Sequence, residues 1–350
     1  MQILKFLLTR FLSGVVILVS VVVLISSIVY LAPVDPARLT FGQRSDAGTV
    51  ELKRKELGLD QSLSNQMLSY LADISPLVVT SQPQNFDPFR IGSIALGNTH
   101  IVLKNINLRT SYQTGNEVSA MIRQALPKTI ILALASFLFA ALLGILLGLI
   151  AAIYQDKPID KVILAVSTLG ISVPSYVAAI VMAVFFGYTL HHLTGLNIQG
   201  SIFEVNDYGD DIIAWKNLIL PAISLGIRPV SIIMQLTRSA VLEVMSQDYI
   251  RTAKAKGLNF VKVMLRHTLP NAMNPIVTSL TGWLASLLAG AYFVEKVFNF
   301  KGIGELTING LVNYDLPVIL ACVILICLVF IVINIMTDIF YMILDPRMRN

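Results

Sequence analysis

The stretch Ser246–Pro275, "SQDYIRTAKAKGLNFVKVMLRHTLPNAMNP", lies between two strongly apolar segments. From Ser246 to Leu269 it carries five Lys or Arg residues and one Asp. Asp248 suits a helix N-cap, and its charge favours the positive end of the helix dipole. Gly257, following Lys254 and Lys256, is a usual helix end. The reading is a short helix over Tyr249–Lys256. Tyr249, Ile250, Ala253 and Gly257 share a stripe of about 100°, while Arg251 and Lys254 point elsewhere. A helix this short is marginal alone, so it must rest on something. Anionic headgroups are one support, but the thin stripe lacks Trp and Phe. Spacing leaves two readings open: contact with a partner, or a loop whose charge only sets membrane topology.

The surrounding composition supplies the context. Of 350 residues, 55% are hydrophobic and only 13% charged, and the mean hydropathy is +0.73. Soluble domains carry about a quarter charged residues, so the chain reads as an integral membrane protein. A span needs about 20 mostly apolar residues. Charge-free runs cover Phe11–Leu31, Thr129–Tyr154, Val162–Leu190, Asn274–Val294 and Leu316–Thr337. A sixth, Leu218–Met245, is interrupted by Arg228, Arg238 and Glu243. None alternates with period 2, so helices and not barrel strands are expected. The first run resembles a signal peptide in its basic flank. It is long, and "LAPVDP" after it offers no small-residue cleavage site, so it reads as an uncleaved span.

The fold class expected is all-α, with six membrane helices and an extracytoplasmic insertion after the first. The boundaries are 1–31 for the first span, 32–118 for the insertion and 119–345 for a five-span core. The insertion has eight basic and eight acidic residues and reads as mostly irregular. Within it, Leu59, Leu63, Met67 and Leu71 have helical spacing, while "QPQNFDPF" and "TSYQTGNEV" read as turns. Lys/Arg bias in short loops puts both termini in the cytoplasm. Twelve cations fall inside: Lys5, Arg10, Lys157, Lys161, Arg238, five in the opening stretch, Arg347 and Arg349. Lys216, Lys296 and Lys301 fall outside, whereas Arg123 and Lys128 run against the rule beside a long loop. The net charge of +5 is therefore a membrane-face bias and points to no nucleic acid.

Other candidate sites are sparse. Gly144 and Gly148 share a helix face and invite a close helix approach. Ser172, Pro174 and Ser175 lie mid-span in "STLGISVPSYV", where a substrate path and plain helix packing are both compatible. Arg228 is the ionisable side chain farthest from either end of its run. Intramembrane charges are functional by default; the structural alternative is an Arg at a helix break by Pro229. His191 and His192 are adjacent, but without a third ligand they define no metal site. His100 and His267 stand apart from them. Cys322 and Cys327 face different sides of one helix, which supports neither a disulfide nor a metal. No G-x-x-x-x-G-K-Ser/Thr loop is present, so the chain should not itself hydrolyse ATP.

The opening stretch resembles the cytoplasmic signature of ABC-importer permeases: Glu-Ala-Ala, three residues, Gly, nine residues, then Ile-x-Leu-Pro. Here Gly257 is followed by nine residues and then by His267, Thr268, Leu269 and Pro270. The Glu-Ala-Ala positions hold Arg251, Thr252 and Ala253. Those departures resemble the "YIRTAxAKG" form of dipeptide/oligopeptide-type permeases, specifically the first of their two permease subunits. Similarity extends through "LLTRFLSGVVILVSVVVLISSIVYLAPVDPAR", "ELGLDQSL", "SYQTGNEVSAMIRQALPKTIILALAS", "TRSAVLEVMSQDYIRTAKAKG", "LAGAYFVEKVFNFKGIGELTINGLVNYDLPVI" and the terminal "DPR".

The resemblance implies a coupling helix formed by Asp248, Tyr249, Ile250, Arg251, Thr252, Ala253, Lys254, Ala255, Lys256 and Gly257. His267, Leu269 and Pro270 would close the signature. Implied partners are a homologous second permease, two cytoplasmic ATPase subunits that bind ATP and Mg, an extracytoplasmic binding protein and the bilayer of a bacterial cytoplasmic membrane. The implied cargo is di- or oligopeptides, with nickel chelates, glutathione or antimicrobial peptides as alternatives. A secondary carrier would want intramembrane carboxylates or an inverted repeat, and a membrane enzyme a polar cluster in the spans. Two departures matter. Ile74–Asn107 is longer than the family usually has, and Lys301 stands where Pro usually precedes "GIG".

Overall fold

The computed structural model describes residues 2–31, 36–41, 46–81, 89–96, 98–205 and 208–344. Most of the Pro-x-Asp-Pro exit of the first span, most of "QPQNFDPF" and the terminal "DPR" with Arg347 and Arg349 lie outside the described residues. The chain divides into two units.

The first unit takes residues 1–125 and 306–328. Its elements are α1 (Gln2–Leu31), α2 (Pro36–Phe41), α3 (Ala47–Glu56), α4 (Leu63–Ile74), β1 (Leu77–Thr80), β2 (Arg90–Leu96) and β3 (Thr99–Lys104). The strands form an antiparallel sheet in the order β1-β3-β2. Leu77 faces Leu103, and Ile94 faces Ile101. The chain is mainly helical, as expected, but these strands and helices replace the mostly irregular insertion that was expected. The runs "LVVT", "RIGSIAL" and "THIVLK" are rich in branched residues that suit a pleated surface. Each is too short to show period 2 by itself, and only mutual pairing makes strands of them.

The helix expected from Leu59 onward starts later, because the Ser62 hydroxyl accepts the Asn65 N–H and caps α4 there. Leu59 still packs with Tyr70, Tyr112, Val22, Leu316 and Ile319 in the apolar centre of this unit. Polar groups bind its segments together. Arg109 donates from Nε to Asp73 Oδ2 at 2.7 Å and from Nη2 to Ser69 at 2.8 Å. Ser111 Oγ and the Tyr112 N–H both donate to the Asp315 carboxylate. Lys104 is almost wholly buried, with Nζ donating to Asp73 O. Burial pushes its ammonium below the ordinary lysine range.

The second unit takes residues 126–305 and 329–350. α5 (Val118–Ile153) is continuous into it from the first unit. Then follow α6 (Pro158–Ser172), α7 (Ser175–Met182), α8 (His191–Thr194), β4 (Phe203–Val205) and β5 (Asp211–Ile213). The hairpin β4–β5 is a second departure from an all-helical chain. α9 (Lys216–Met245), α10 (Asp248–Ala255), α11 (Phe260–Val263), α12 (Leu269–Gly290) and α13 (Tyr292–Phe298) complete the unit. α14 (Ile303–Val312) and α15 (Leu316–Leu344) close the chain. Two π-helical turns interrupt the α pattern, at Ala183–Thr189 and Met264–Thr268.

α9 is the axis of this unit, with α6, α7 and α12 packed along it. Gly144 and Gly148 allow the close approach their spacing predicts. A Cβ on Gly148 would sit 2.5 Å from Thr237 Cβ and 2.7 Å from Met234 O. α5, α9 and the Leu316–Asp338 part of α15 are each long and apolar enough to cross a membrane. Two bent pairs meet the same test. α6 with α7 and its π-turn is bent by 106°, and Phe260–Leu288 with α13 by 55°. The run expected as the third span, Val162–Leu190, is thus folded at its middle.

Candidate functional site

The basic stretch forms α10, one residue earlier than its spacing predicts. Gln247 occupies the N-cap position and Asp248 is the first helical residue, so Asp248 is not the cap. Its carboxylate instead lies 3.4 Å from the Arg251 guanidinium, and both side chains are largely solvated. Gly257 has φ +82, the left-handed geometry that ends the helix. The apolar stripe rests on the chain's own next turn: Ile250 and Ala253 pack against Val263, with Val244 and Leu258 at the edge. The support demanded of so short a helix is therefore internal. What remains outward is cationic and polar: Arg251, Thr252, Lys254, Ala255 and Lys256 are exposed, as is Tyr249.

After α10 the Asn259 side chain accepts the Lys262 N–H and starts α11. The π-turn Met264–Thr268 then carries His267, half-buried, into α12. Leu269 and Pro270 stand in the first turn of α12, directly after the π-turn.

The pathway candidates fall on α6, α7 and α9. Ser172 ends α6, and its hydroxyl donates to Thr168 O. Val173 is extended, Pro174 is the N-cap of α7, and Ser175 begins that helix. Ser172 and Pro174 are exposed and Ser175 half-buried, so all three stand at the 106° knee. Pro restricts the residue before it to extended geometry, which accounts for the position of the break. Arg228 is not at a helix break, because α9 runs unbroken through Pro221 and Pro229. Its side chain is exposed although its neighbours Pro229 and Val230 are buried. Gly170 packs against Ile227 and Ser231. That contact brings the end of α6 beside the turn of α9 that bears Arg228.

Two polar nodes escaped the sequence reading. At one, Arg238 donates from Nε and Nη2 to both oxygens of Asp160, at 2.7 and 2.6 Å. At the other, the fully buried Glu295 accepts from Thr129 Oγ1 at 2.7 Å and from the Glu305 N–H at 3.1 Å. Thr129 Oγ1 in turn accepts the Ile303 N–H. Glu295 is therefore the peg on which the "KGIGE" turn is wound. Lys301 explains its departure from proline. It has φ +57, which a proline ring forbids, and its N–H donates to Glu305 Oε2 at 2.7 Å. A lone carboxylate at the end of an apolar run was the available signal for Glu295. Nothing in the spacing paired Asp160 with a residue 78 positions away.

The chain matches the family described as "Binding-protein-dependent transport system inner membrane component" over residues 144–350. It also matches "Binding-prot-dependent transport system membrane comp, N-term" over residues 3–133. It belongs to that family and is the permease of an ABC importer. Among curated relatives, the glutathione transport system permease protein GsiC of Salmonella choleraesuis is 33% identical over 346 residues, 99% of each chain. GsiC of Escherichia coli K12 is 31% identical over the same extent. A solved chain of the MetNI methionine ABC transporter, in an inward-facing conformation, superposes with a TM-score of 0.53. It is 15% identical and covers 65% of this chain and 97% of its own, a likeness of fold alone.

Proposed function

We propose that this permease is the first of two non-identical permease subunits in a peptide importer of the bacterial cytoplasmic membrane. Six spans cross the bilayer: α1, α5, the bent α6–α7 pair, α9, the α11–α12 segment and α15. Both termini are cytoplasmic, and the segment between α1 and α5 is extracytoplasmic. A binding protein delivers the cargo from outside, and two ATPase subunits holding ATP and Mg work from inside. A glutathione-sized tripeptide is the narrower alternative for the cargo. The near full-length identity to permeases named for glutathione favours it.

The observation that carries this reading is α10. Its apolar face is spent on its own chain, and its cationic face is left open. Arg251 and Lys254 meet carboxylates in a groove of an ATPase subunit, as charge complementarity requires. Tyr249–Gly257 is then the coupling helix. Ala253 faces inward, so a crosslinking probe belongs at the exposed Ala255. Ala255→Cys should crosslink to a co-expressed ATPase subunit in membranes, with a yield that changes when ATP is added. An assembled complex without that crosslink refutes the coupling-helix reading.

Arg228 stands near the middle of a membrane helix, about 18 Å of helix from Lys216 and without a hydrogen bond or ion pair among the described residues. It faces the translocation path at the Ser172–Ser175 knee and meets a carboxylate of the peptide. Arg228→Ala should raise the transport KM about ten-fold, the order expected for loss of a charged hydrogen bond. Unchanged transport at equal expression removes it from the path.

A further inference from the structure

Three polar contacts run along the line where α6 meets α9. Ser167 Oγ donates to Ser231 O at 3.0 Å, and Gln235 Nε2 donates to Ser167 Oγ at 3.3 Å. The third is the two-pronged pair of Arg238 with Asp160. Asp160 and Ser167 are seven residues apart on α6, and Ser231, Gln235 and Arg238 are four and three apart on α9. Each set therefore shares one helix face.

The Asp160 carboxylate also joins a third element. Its Oδ2 accepts the Asp156 N–H at 2.9 Å, in the turn between α5 and α6. There Asp156 takes φ +63. One carboxylate, 1% exposed, thus fastens the α5–α6 turn, the start of α6 and the last part of α9. Arg238 stands seven residues before α9 ends at Met245, about 10 Å of helix, and α10 begins at Asp248.

An ion pair with one buried partner, Asp160, and one partly exposed, Arg238, is a poor means of holding a fold, because well-packed apolar residues often serve as well. It is a good means of setting register. A slide of α6 along α9 by one residue, about 1.5 Å, would spoil the alignment that lets both prongs meet both carboxylate oxygens at once. The far end of α6 still touches α9 through Gly170, against Ile227 and Ser231, but carries no ion pair, and its helix stops at the knee between Ser172 and Ser175. α6 is therefore pinned to the element that feeds α10 and hinged where the pathway candidates stand.

We propose that the Asp160–Arg238 pair is the tie that makes α6 follow α9 and α10, so that it sets the coupling between nucleotide turnover and opening at the knee. The inference rests on α10 being the ATPase contact. Asp160 and Arg238 act as positioning residues: they touch neither nucleotide nor cargo.

The test uses the assembled complex of both permeases and both ATPases in vesicles, with the binding protein loaded with peptide. Arg238→Lys keeps the charge and loses the fork; Asp160→Asn keeps the shape and loses the charge. Both are made beside the reversal Asp160→Arg with Arg238→Asp, and all carry Ala255→Cys. In the single variants, basal ATP hydrolysis and the Ala255→Cys crosslink should persist. Stimulation of hydrolysis by loaded binding protein should fall about ten-fold, within the usual range of coupling energies, and the reversal should recover much of it. Undiminished stimulation in both single variants, with the complex assembled, overturns the tie. Failure of Arg238→Lys to assemble also overturns it, since the pair is then a folding contact. Absence of the crosslink in the parent complex refutes the α10 reading alone, and the stimulation ratio still decides the tie.

Discussion

Proline has opposite consequences in two helices of the same unit. At Pro174 the chain turns by 106°, whereas α9 carries Pro221 and Pro229 through thirty residues without a break. The difference lies in what surrounds each ring. Pro221 and Pro229 are buried, and α9 packs on α6, α7 and α12. The Ser224 and Ser231 hydroxyls bond the carbonyls of Leu220 and Ile227 on the same helix. Those are not the carbonyls the rings free, which belong to Asn217 and Leu225, so it is packing by neighbours that lets this membrane helix carry its prolines. Pro174 and its neighbour Ser172 are exposed instead, and α6 and α7 pack on α9 separately, on either side of the bend. Proline thus supplies a permission to bend, and packing decides whether it is taken.

The largest test of this contrast removes the packing. Gly148→Val would drive a branched side chain into Thr237 and the Met234 carbonyl. Overpacking of this kind costs about 1–3 kcal/mol, and the backbone clash puts this site at the upper end. The expected result is loss of folded permease from membranes, read by detergent thermal stability. Stability unchanged by the substitution would mean that α5 does not brace α9 and that its prolines need another explanation. A smaller effect is expected at the knee. Pro174→Ala restores a donor and frees Val173 to become helical. Transport should fall severalfold at normal expression while thermal stability holds or rises, since relieving a functional bend commonly stabilises. Equal loss of both would make the bend a packing feature.

The smallest test concerns the other unit, where polar groups brace the fold in place of helix packing. Burial raises the Tyr70 hydroxyl well above its ordinary range, against a smaller lowering by Arg109. Tyr112 is also raised, again chiefly by burial. In the unfolded chain both ionise near pH 10. Their stabilising contribution is therefore complete below that pH and declines as pH rises above it. Tyrosinate absorbance should show two phenols titrating late, together with loss of the tertiary signal. Titration of all tyrosines in one early step would show this centre to be open to solvent.

How much was legible follows the same line. The apolar runs, the basic helix, its glycine end and the Gly144–Gly148 face are properties of nearby residues, and local spacing exposes them. The strands of residues 77–104, the Asp160–Arg238 tie and the Glu295 peg depend on residues brought together from far along the chain. The inward seat of Ile250 and Ala253 was legible as a stripe, but its occupant, Val263, was not.

By itself the sequence determined a membrane permease. Hydropathy sets which segments leave water, Gly257 sets where the basic helix ends, and Leu269–Pro270 marks where α12 begins. Tertiary structure alone decided which prolines bend a helix and which side chains of α10 remain outward. It also decided that Lys301 adopts a backbone geometry proline cannot reach. Each of these turns on the partner a group finds across the fold, and no local pattern records that partner.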